Sequence, residues 1–266
     1  MAKGGFGVGA VYALLKEARI AAEDVRPLVV NGVLADKLAQ ELSRGARPGT
    51  VVTGRPAREA AVLVRVLAGD ATADDEAELR AASRASTPVV AVQTSGSASG
   101  EIPYVLATDV VVCPPGSGFP VEAILKAVAD KLGEHGTSLA ARLPALREPL
   151  CAALVEGFSR KNGVLGAAIF VPGADLPVLT RNQLRLVLRI AAAHGVEVDQ
   201  SRAAEIAATV AAGLGFRMVA RRVLLSGVPV AGWMVKGAIA YAGTRALGEA
   251  ATRYFAAIAE QQPETA

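Results

Sequence analysis

VPGADLPVLTRNQLRLVLRIAAAHG, residues 171–195, divides the chain into two unlike halves. Pro172-Gly173 turns the chain after the small, apolar run 163–171. Thr180 and Gln183 have the spacing of a capping box, in which the Thr hydroxyl takes one orphan helix N–H and the Gln reaches back to another. Leu184, Val187, Leu188 and Ala191 follow at i, i+3, i+4 and i+7, one face of a helix. Arg181, Arg185 and Arg189 recur every four residues on a neighbouring strip, and Gly195 is placed as a C′ stop. The spacing predicts a helix over 181–194 that opens a helical half. It speaks of architecture, and no reaction is written in it.

Working outward, 266 residues suffice for one large domain or two ordinary ones. Apolar residues make up 52% and charged residues 20%, so a core can form; aromatics are only 4% and alanine is abundant, which favours close helix packing with small side chains at the contacts. Charge is uneven. Residues 1–134 carry 14 Lys/Arg against 16 Asp/Glu, a balance of −2, and residues 135–266 carry 14 against 9, a balance of +5. A basic second half suits an acidic partner or membrane surface; the plainer reading is a solvated arginine-rich helix face. Cys113 and Cys151 form no motif, and no signal peptide precedes them, so the expected setting is reducing and cytoplasmic.

Gly4, Gly5, Gly7 and Gly9 resemble a phosphate loop only superficially, because no strand precedes them. Residues 11–22 are expected to form a short helix that packs on the first domain. From Pro27 the pattern changes. Short apolar runs at 28–30, 50–53, 61–67, 88–92 and 110–113 alternate with helical stretches at 33–43, 72–85 and 121–132. The helix over 72–85 sets Ala77, Leu79 and Ala81 among Asp74, Asp75, Glu76 and Glu78. Such alternation predicts an α/β domain around a mostly parallel sheet. Ligands of such sheets bind at the carboxyl ends of the strands, which directs attention to the loops after Val30, Val92 and Cys113.

In layout, residues 25–134 resemble a small bacterial GTPase domain of the Era/TrmE type. The order includes a third strand ending near Gly69-Asp70, an acidic helix and then TPVVAVQT (87–94). The resemblance implies a P-loop GTPase-like fold, yet the signature residues depart from it. A P-loop needs G-x4-G-K-[ST] to hold the phosphates and magnesium. The first loop here runs Asn31-Gly32-Val33-Leu34-Ala35-Asp36-Lys37-Leu38, without the second Gly or the Lys-Ser/Thr pair, and Asp36 stands beside the one lysine. Where the family reads guanine with Asn-Lys-x-Asp, this chain has Gln93-Thr94-Ser95-Gly96-Ser97. Thr53-Gly54-Arg55 stands in place of Asp-x-x-Gly. A degenerate domain without GTP hydrolysis is expected.

Residues 134–138 (EHGTS) are read as a linker, giving three segments: a glycine-rich start and helix at 1–24, the α/β domain at 25–134 and an all-α helical domain at 135–266. Residues 139–160 are expected to hold one or two helices, with breaks considered at Pro144 and Pro149. A capped helix begins near Asp199 or Ser201, and residues 216–226 follow with Arg217, Arg221 and Arg222. A long final helix is expected over 230–259. Gly232, Gly237, Gly243 and Gly248 lie in it, and each glycine costs about 1 kcal/mol against alanine in a helix interior. Their retention points to a second helix approaching closely over a face of Trp233, Gly237, Tyr241, Thr244 and Gly248. This half resembles the YcjF-like family of GTPase-associated helical domains of unknown function. The resemblance is carried by PGADLPVLTRNQ (172–183), IAAAHGVEVD (190–199), GFRMVARRVLLSGVPVAGWMVKG (215–237) and YAGTRALGEAATRYF (241–255). It implies no catalytic residues, and some family members are membrane proteins.

No chemistry-bearing constellation is evident. His135 and His194 have no metal-ligand companions at suitable spacing, and His194 is placed to cap a helix C-terminus. No G-x-S-x-G elbow occurs. The residues singled out for ligand or partner contacts are Ser95, Ser97 and Ser117 in loops at the strand ends, Asp175 after the turn, and Arg221 and Arg222. For the serines the alternative is a set of polar loops over a sheet; for Asp175 it is a helix cap. An aromatic platform for single-stranded nucleic acid is lacking. Residues 223–244 carry one charge, Lys236, in a stretch about as long as a membrane span. Gly227 and Pro229 favour two helices meeting there instead.

The expected protein is therefore non-enzymatic and cofactor-free: a GTPase-like domain joined to a helical domain, acting through a protein partner such as an active GTPase or through a membrane surface. Two other readings stand beside it, an integral membrane protein with a glycine-rich helical hairpin and a weak GTP-binding switch with an altered site.

Overall fold

Short β-branched runs buried on both faces require a parallel sheet covered by helices, and that is what the first half forms. The computed structural model describes residues 8–95, 101–168, 176–196 and 232–261. They divide into two compact units, Glu23–Leu150 and Met1–Ala22 with Cys151–Ala266.

In the first unit, β1 (Leu28–Gly32), β2 (Val51–Thr53), β3 (Val62–Leu67), β4 (Val89–Gln93) and β5 (Val110–Val112) form one sheet in the order β2-β1-β3-β4-β5. Every pairing is parallel, with Leu28 opposite Val51 and Val62, Leu63 opposite Val89, and Ala91 opposite Val110. On one face Val29, Leu63, Leu67, Val89 and Ala91 form a core with Leu79 and Ala82 of α3 (Ala73–Arg84), closed by Ala57, Ala60 and Ile102. The alternate residues Val30, Val64, Val66, Val90 and Val92 are equally buried. α2 (Ala35–Leu42) and α4 (Val121–Leu132) pack on the sheet with Leu38, Leu42, Ile124, Leu125 and Val128 buried. The expected α/β class with a parallel sheet followed by helices is thus observed.

Local chemistry sets the helix ends. Thr72 and Asp75 form a capping box at the start of α3. Its C-terminus closes by a Schellman pair, with the Thr87 amide donating to Ala82 and the Ser86 amide to Ser83, both at 3.0 Å. Ser86 occupies the left-handed position (φ 54°) where glycine is usual. The segment expected as a linker is ordered instead. Residues 133–136 make a 3-10 turn, α5 (Thr137–Arg142) follows, and Gly136, Thr137 and Ser138 are buried. Arg142 of α5 donates to the carbonyls of Asp24, Val25 and Arg26 (3.4, 3.1 and 2.9 Å), which ties this stretch to the start of the sheet. The expected boundary at residue 135 therefore moves to Leu150–Cys151.

α6 (Pro144–Ala168) starts at Pro144, where the missing N–H costs nothing. It runs through Pro149, so only the first of the two considered breaks occurs, at Leu143. Residues 163–168, expected as part of an apolar run before the turn, are its last turns.

The second unit joins α1 (Val8–Ala22), the rest of α6, α7 (Leu176–Ala193) and α8 (Gly232–Gln261). The expected capping box at Thr180 does not form. Proline is tolerated in a first turn, so α7 begins five residues earlier than expected, at Leu176, and the Gln183 side-chain amide donates to Thr244 Oγ1 at 3.4 Å. Gly195 does stop the helix, at φ 73° with the Val196 amide on Ala191 at 3.0 Å, and His194 Nδ1 lies 2.9 Å from the Ile190 carbonyl.

The glycine face of α8 is in place. An ideal Cβ on Gly237 would lie 2.8 Å from the Gly163 carbonyl oxygen and 3.0 Å from Ala167 Cβ, and one on Gly248 would lie 2.5 Å from Val155 Cγ2. Beside this seam, Asn162 donates to Thr244 Oγ1 (2.9 Å) and accepts from Asn182 (2.8 Å), all three buried. Of the expected face, the Trp233 side chain lies outside the described set.

α1, expected to pack on the first domain, falls in the same unit as α7 and packs on it: Leu14, with Leu15 and Ala18, meets Leu184 and Leu188. Glu17 accepts hydrogen bonds from both Arg185 and Arg189 (3.0 Å from Arg189), and Arg189 is 5% exposed. The arginine strip is therefore not the solvated face expected of it; only Arg181 is exposed. Among the described residues no helix is long and apolar enough to cross a membrane.

Candidate functional site

In a doubly wound sheet of this order the strand connections reverse at β1/β3, and the crevice at the carboxyl ends there is the usual ligand site. In this chain it is closed from within. Gly32 ends β1 at φ 103°, and a Cβ there would fall 2.1 Å from the Val66 carbonyl oxygen, so only glycine fits. The next amide, Val33, donates to that same oxygen at 3.0 Å. Leu34 then takes a left-handed conformation (φ 53°) and starts α2 without a side-chain cap; Val33 and Leu34 are exposed.

Beneath the crevice lies a part-buried polar cluster in which Asp75 is the buried member. Asn31 and Arg65 are register partners on β1 and β3. The Asn31 carboxamide accepts from the Gly54 amide (2.8 Å) and donates to the Arg55 carbonyl (2.9 Å) and to Glu78. Arg65 bonds Asp75 through Nε at 2.8 Å and Nη2 at 2.6 Å, and Glu78 through Nη1. Burial works against ionisation of Asp75. Hydrogen bonds from the Thr72 hydroxyl and amide and from Arg65 outweigh it and hold the carboxyl below the usual range. At the rim, Thr53 Oγ1 donates to Asp36 at 2.9 Å, while Lys37 points to solvent.

These groups were not singled out from the sequence. Asp75 and Glu78 have the pattern of a solvated acidic face. The one available signal was Arg65, a cation inside an apolar strand, which requires buried partners.

The predicted contact residues do not assemble into one site among the described residues. Ser95 is half-buried just after β4, where Thr94 turns back through its amide (2.9 Å) and hydroxyl (3.1 Å) onto the Leu67 carbonyl. Ser117 is exposed in a turn, its amide 3.1 Å from the Pro114 carbonyl. Ser97, Asp175, Arg221 and Arg222 lie outside the described residues. Cys113 and Cys151 are both buried, and burial pushes the Cys113 thiol up, away from the reactive thiolate. No group of three metal-ligating side chains occurs among the described residues. A shallow hollow of about 330 Å³ near Ser86, Tyr104 and Lys131 lies at the amino end of β4, the wrong edge for a doubly wound sheet.

Chemically, the arrangement stabilises more than it receives. At the end of β1 the Val33 amide and the Asn31 carboxamide are spent on internal bonds. The charged side chains beneath are one guanidinium shared by two carboxylates, an environment that repels phosphate. Comparison with family models, with curated proteins and with solved structures returned no match.

Proposed function

We propose that this protein is a non-catalytic relative of small GTPases that acts by binding another protein, with an active GTPase as the partner class its layout suggests. The observation that carries this reading is the closure of the loop after β1. Nucleotide binding there needs free backbone N–H groups, a lysine on the phosphates and a hydroxyl on magnesium. Instead Gly32 seats on the Val66 carbonyl, Val33 donates its N–H to the same atom, and Asp36 holds the rim. The sequence layout of residues 25–134 supports a GTPase-like ancestry. Exposed Val33 and Leu34 stand where a phosphate-binding loop would face its ligand, a surface better suited to a protein than to an anion.

Titration of the full chain with a fluorescent guanine nucleotide and magnesium, with a hydrolysis assay alongside, tests the proposal. No saturable binding and no turnover are expected. Saturable binding would replace this reading with a nucleotide switch, and hydrolysis would end it.

A further inference from the structure

Three asparagines stand in the 266 residues, Asn31, Asn162 and Asn182, and the first two are each followed by glycine. Asn-Gly is a chemically short-lived pair, because glycine has no Cβ to shield its nitrogen from the neighbouring carboxamide. It is also a turn-forming pair. Neither copy makes a turn here. Asn31-Gly32 closes β1, and Asn162-Gly163 lies inside α6.

Each carboxamide is held by partners on other elements. Asn31 accepts from the Gly54 amide (2.8 Å) and donates to the Arg55 carbonyl (2.9 Å) and to Glu78 of α3. Asn162, fully buried, donates to Thr244 Oγ1 of α8 (2.9 Å) and accepts from Asn182 of α7 (2.8 Å). The backbones are fixed as well. Gly32 sits against the Val66 carbonyl oxygen, and a Cβ on Gly163 would lie 3.2 Å from Tyr241 Cβ and 3.4 Å from the Gly237 carbonyl oxygen. Intramolecular deamidation has a strict geometry. The glycine nitrogen must reach the asparagine Cγ, which takes an asparagine ψ far from about +115° in a parallel strand and about −42° in a helix.

We propose that Asn31 and Asn162 are latent modification sites, asparagine for as long as the fold holds them and converted to aspartate or isoaspartate when it opens. The glycine N–H gives its proton to solvent and the nitrogen bonds to Cγ. The Cγ–Nδ2 bond breaks, and ammonia leaves with a proton taken back from solvent, giving a succinimide. Water then opens the ring at either carbonyl. Neither product fits its place. Aspartate at 31 loses both donations and turns a carboxylate toward Glu78, and the guanidinium nearby, Arg65, is already shared by two carboxylates. Aspartate at 162 puts a charge at a wholly buried position whose bonded neighbours are a hydroxyl and a carboxamide. Isoaspartate adds a methylene to the backbone, which shifts the register of β1 or breaks a turn of α6. A chain that reacts while open is thereby kept from closing, and a transient opening becomes permanent.

The test keeps the full chain in one mildly alkaline buffer, native or in guanidinium chloride, and follows the three asparagines by peptide mapping that separates aspartate from isoaspartate. In denaturant Asn31 and Asn162 convert together, and Asn182, ahead of Gln183, lags far behind. In the native chain both react slower by about a thousandfold or more, the scarcity of open molecules. A half-converted pool is then returned to buffer, and the folded fraction, separated by gel filtration, is depleted of both products. The proposal is overturned if native and denatured chains convert at similar rates, or if converted chains fold in proportion to their number. Asn31→Asp and Asn162→Asp decide the second point should the denatured chain refold poorly. A lowered urea midpoint for each, or no folded protein, supports the proposal; midpoints equal to that of the unaltered chain overturn it.

Discussion

Replacing Gly237 by alanine sets two known effects against each other, and the geometry decides the sign. In an open helix interior the change stabilises by about 1 kcal/mol. At Gly237 the new methyl would lie 2.8 Å from the Gly163 carbonyl oxygen and 3.0 Å from Ala167 Cβ. A backbone carbonyl cannot rotate away, so α6 and α8 must separate, and overpacking of this kind costs about 1–3 kcal/mol. The net expectation is a loss of up to about 2 kcal/mol once the propensity gain is subtracted. Gly157 supplies the control. It is an exposed glycine of α6, and nothing lies within 4 Å of its Cβ position. Gly157→Ala should stabilise by about 0.5–1 kcal/mol. The two variants should move thermal unfolding in opposite directions, by about 2–4 °C per kcal/mol for a chain of this size, and hydrogen exchange of α6 and α8 amides should follow the same order. Equal stabilisation by both substitutions would refute the close helix approach.

Three further outcomes are expected. Arg65→Met leaves Asp75 and Glu78 without their buried cation and should destabilise the α/β unit by about 3–5 kcal/mol in urea titration. Ser86→Gly relieves a left-handed serine at the end of α3 and should add about 1 kcal/mol, read as a raised urea midpoint. Because the folded Asp75 carboxyl titrates below the unfolded value of about 3.9, its contribution is full above that pH and is lost as pH falls through the folded value. Acid unfolding followed by circular dichroism should therefore show a shallower limb below about pH 4 in Asp75→Asn.

The sheet was legible because its strands are short, uncharged but for Arg65, and separated by turn residues. α4, expected over 121–132, is found at Val121–Leu132. The glycine face of α8 was equally legible: glycines kept in a long helix have few explanations other than a close neighbour, and Gly237, Tyr241, Thr244 and Gly248 all take part in it or border it. What failed was whatever needed a partner distant in sequence. Thr180 and Gln183 match a local pattern, but Pro177 admits an earlier start and Thr244 offers Gln183 a better use. Asp75 and Glu78 look like surface acids until β3 brings Arg65 beneath them. α1 carries nothing that says which unit it joins; Glu17 becomes informative only when two arginines four apart on α7 are seen to converge on it.

That pairing has a consequence for how the chain is made. Leu14 and Glu17 leave the ribosome early, whereas Leu188 and Arg189 follow about 170 residues later, a delay of roughly 10–35 s at ordinary elongation rates of about 5–20 residues per second. By the last part of that interval residues 23–150 are complete, with all their own strands, while the N-terminal helix still lacks its α7 contacts. Nascent chains stalled before residue 188 should thus display the Leu14 face to chaperones, and chains released after it should not.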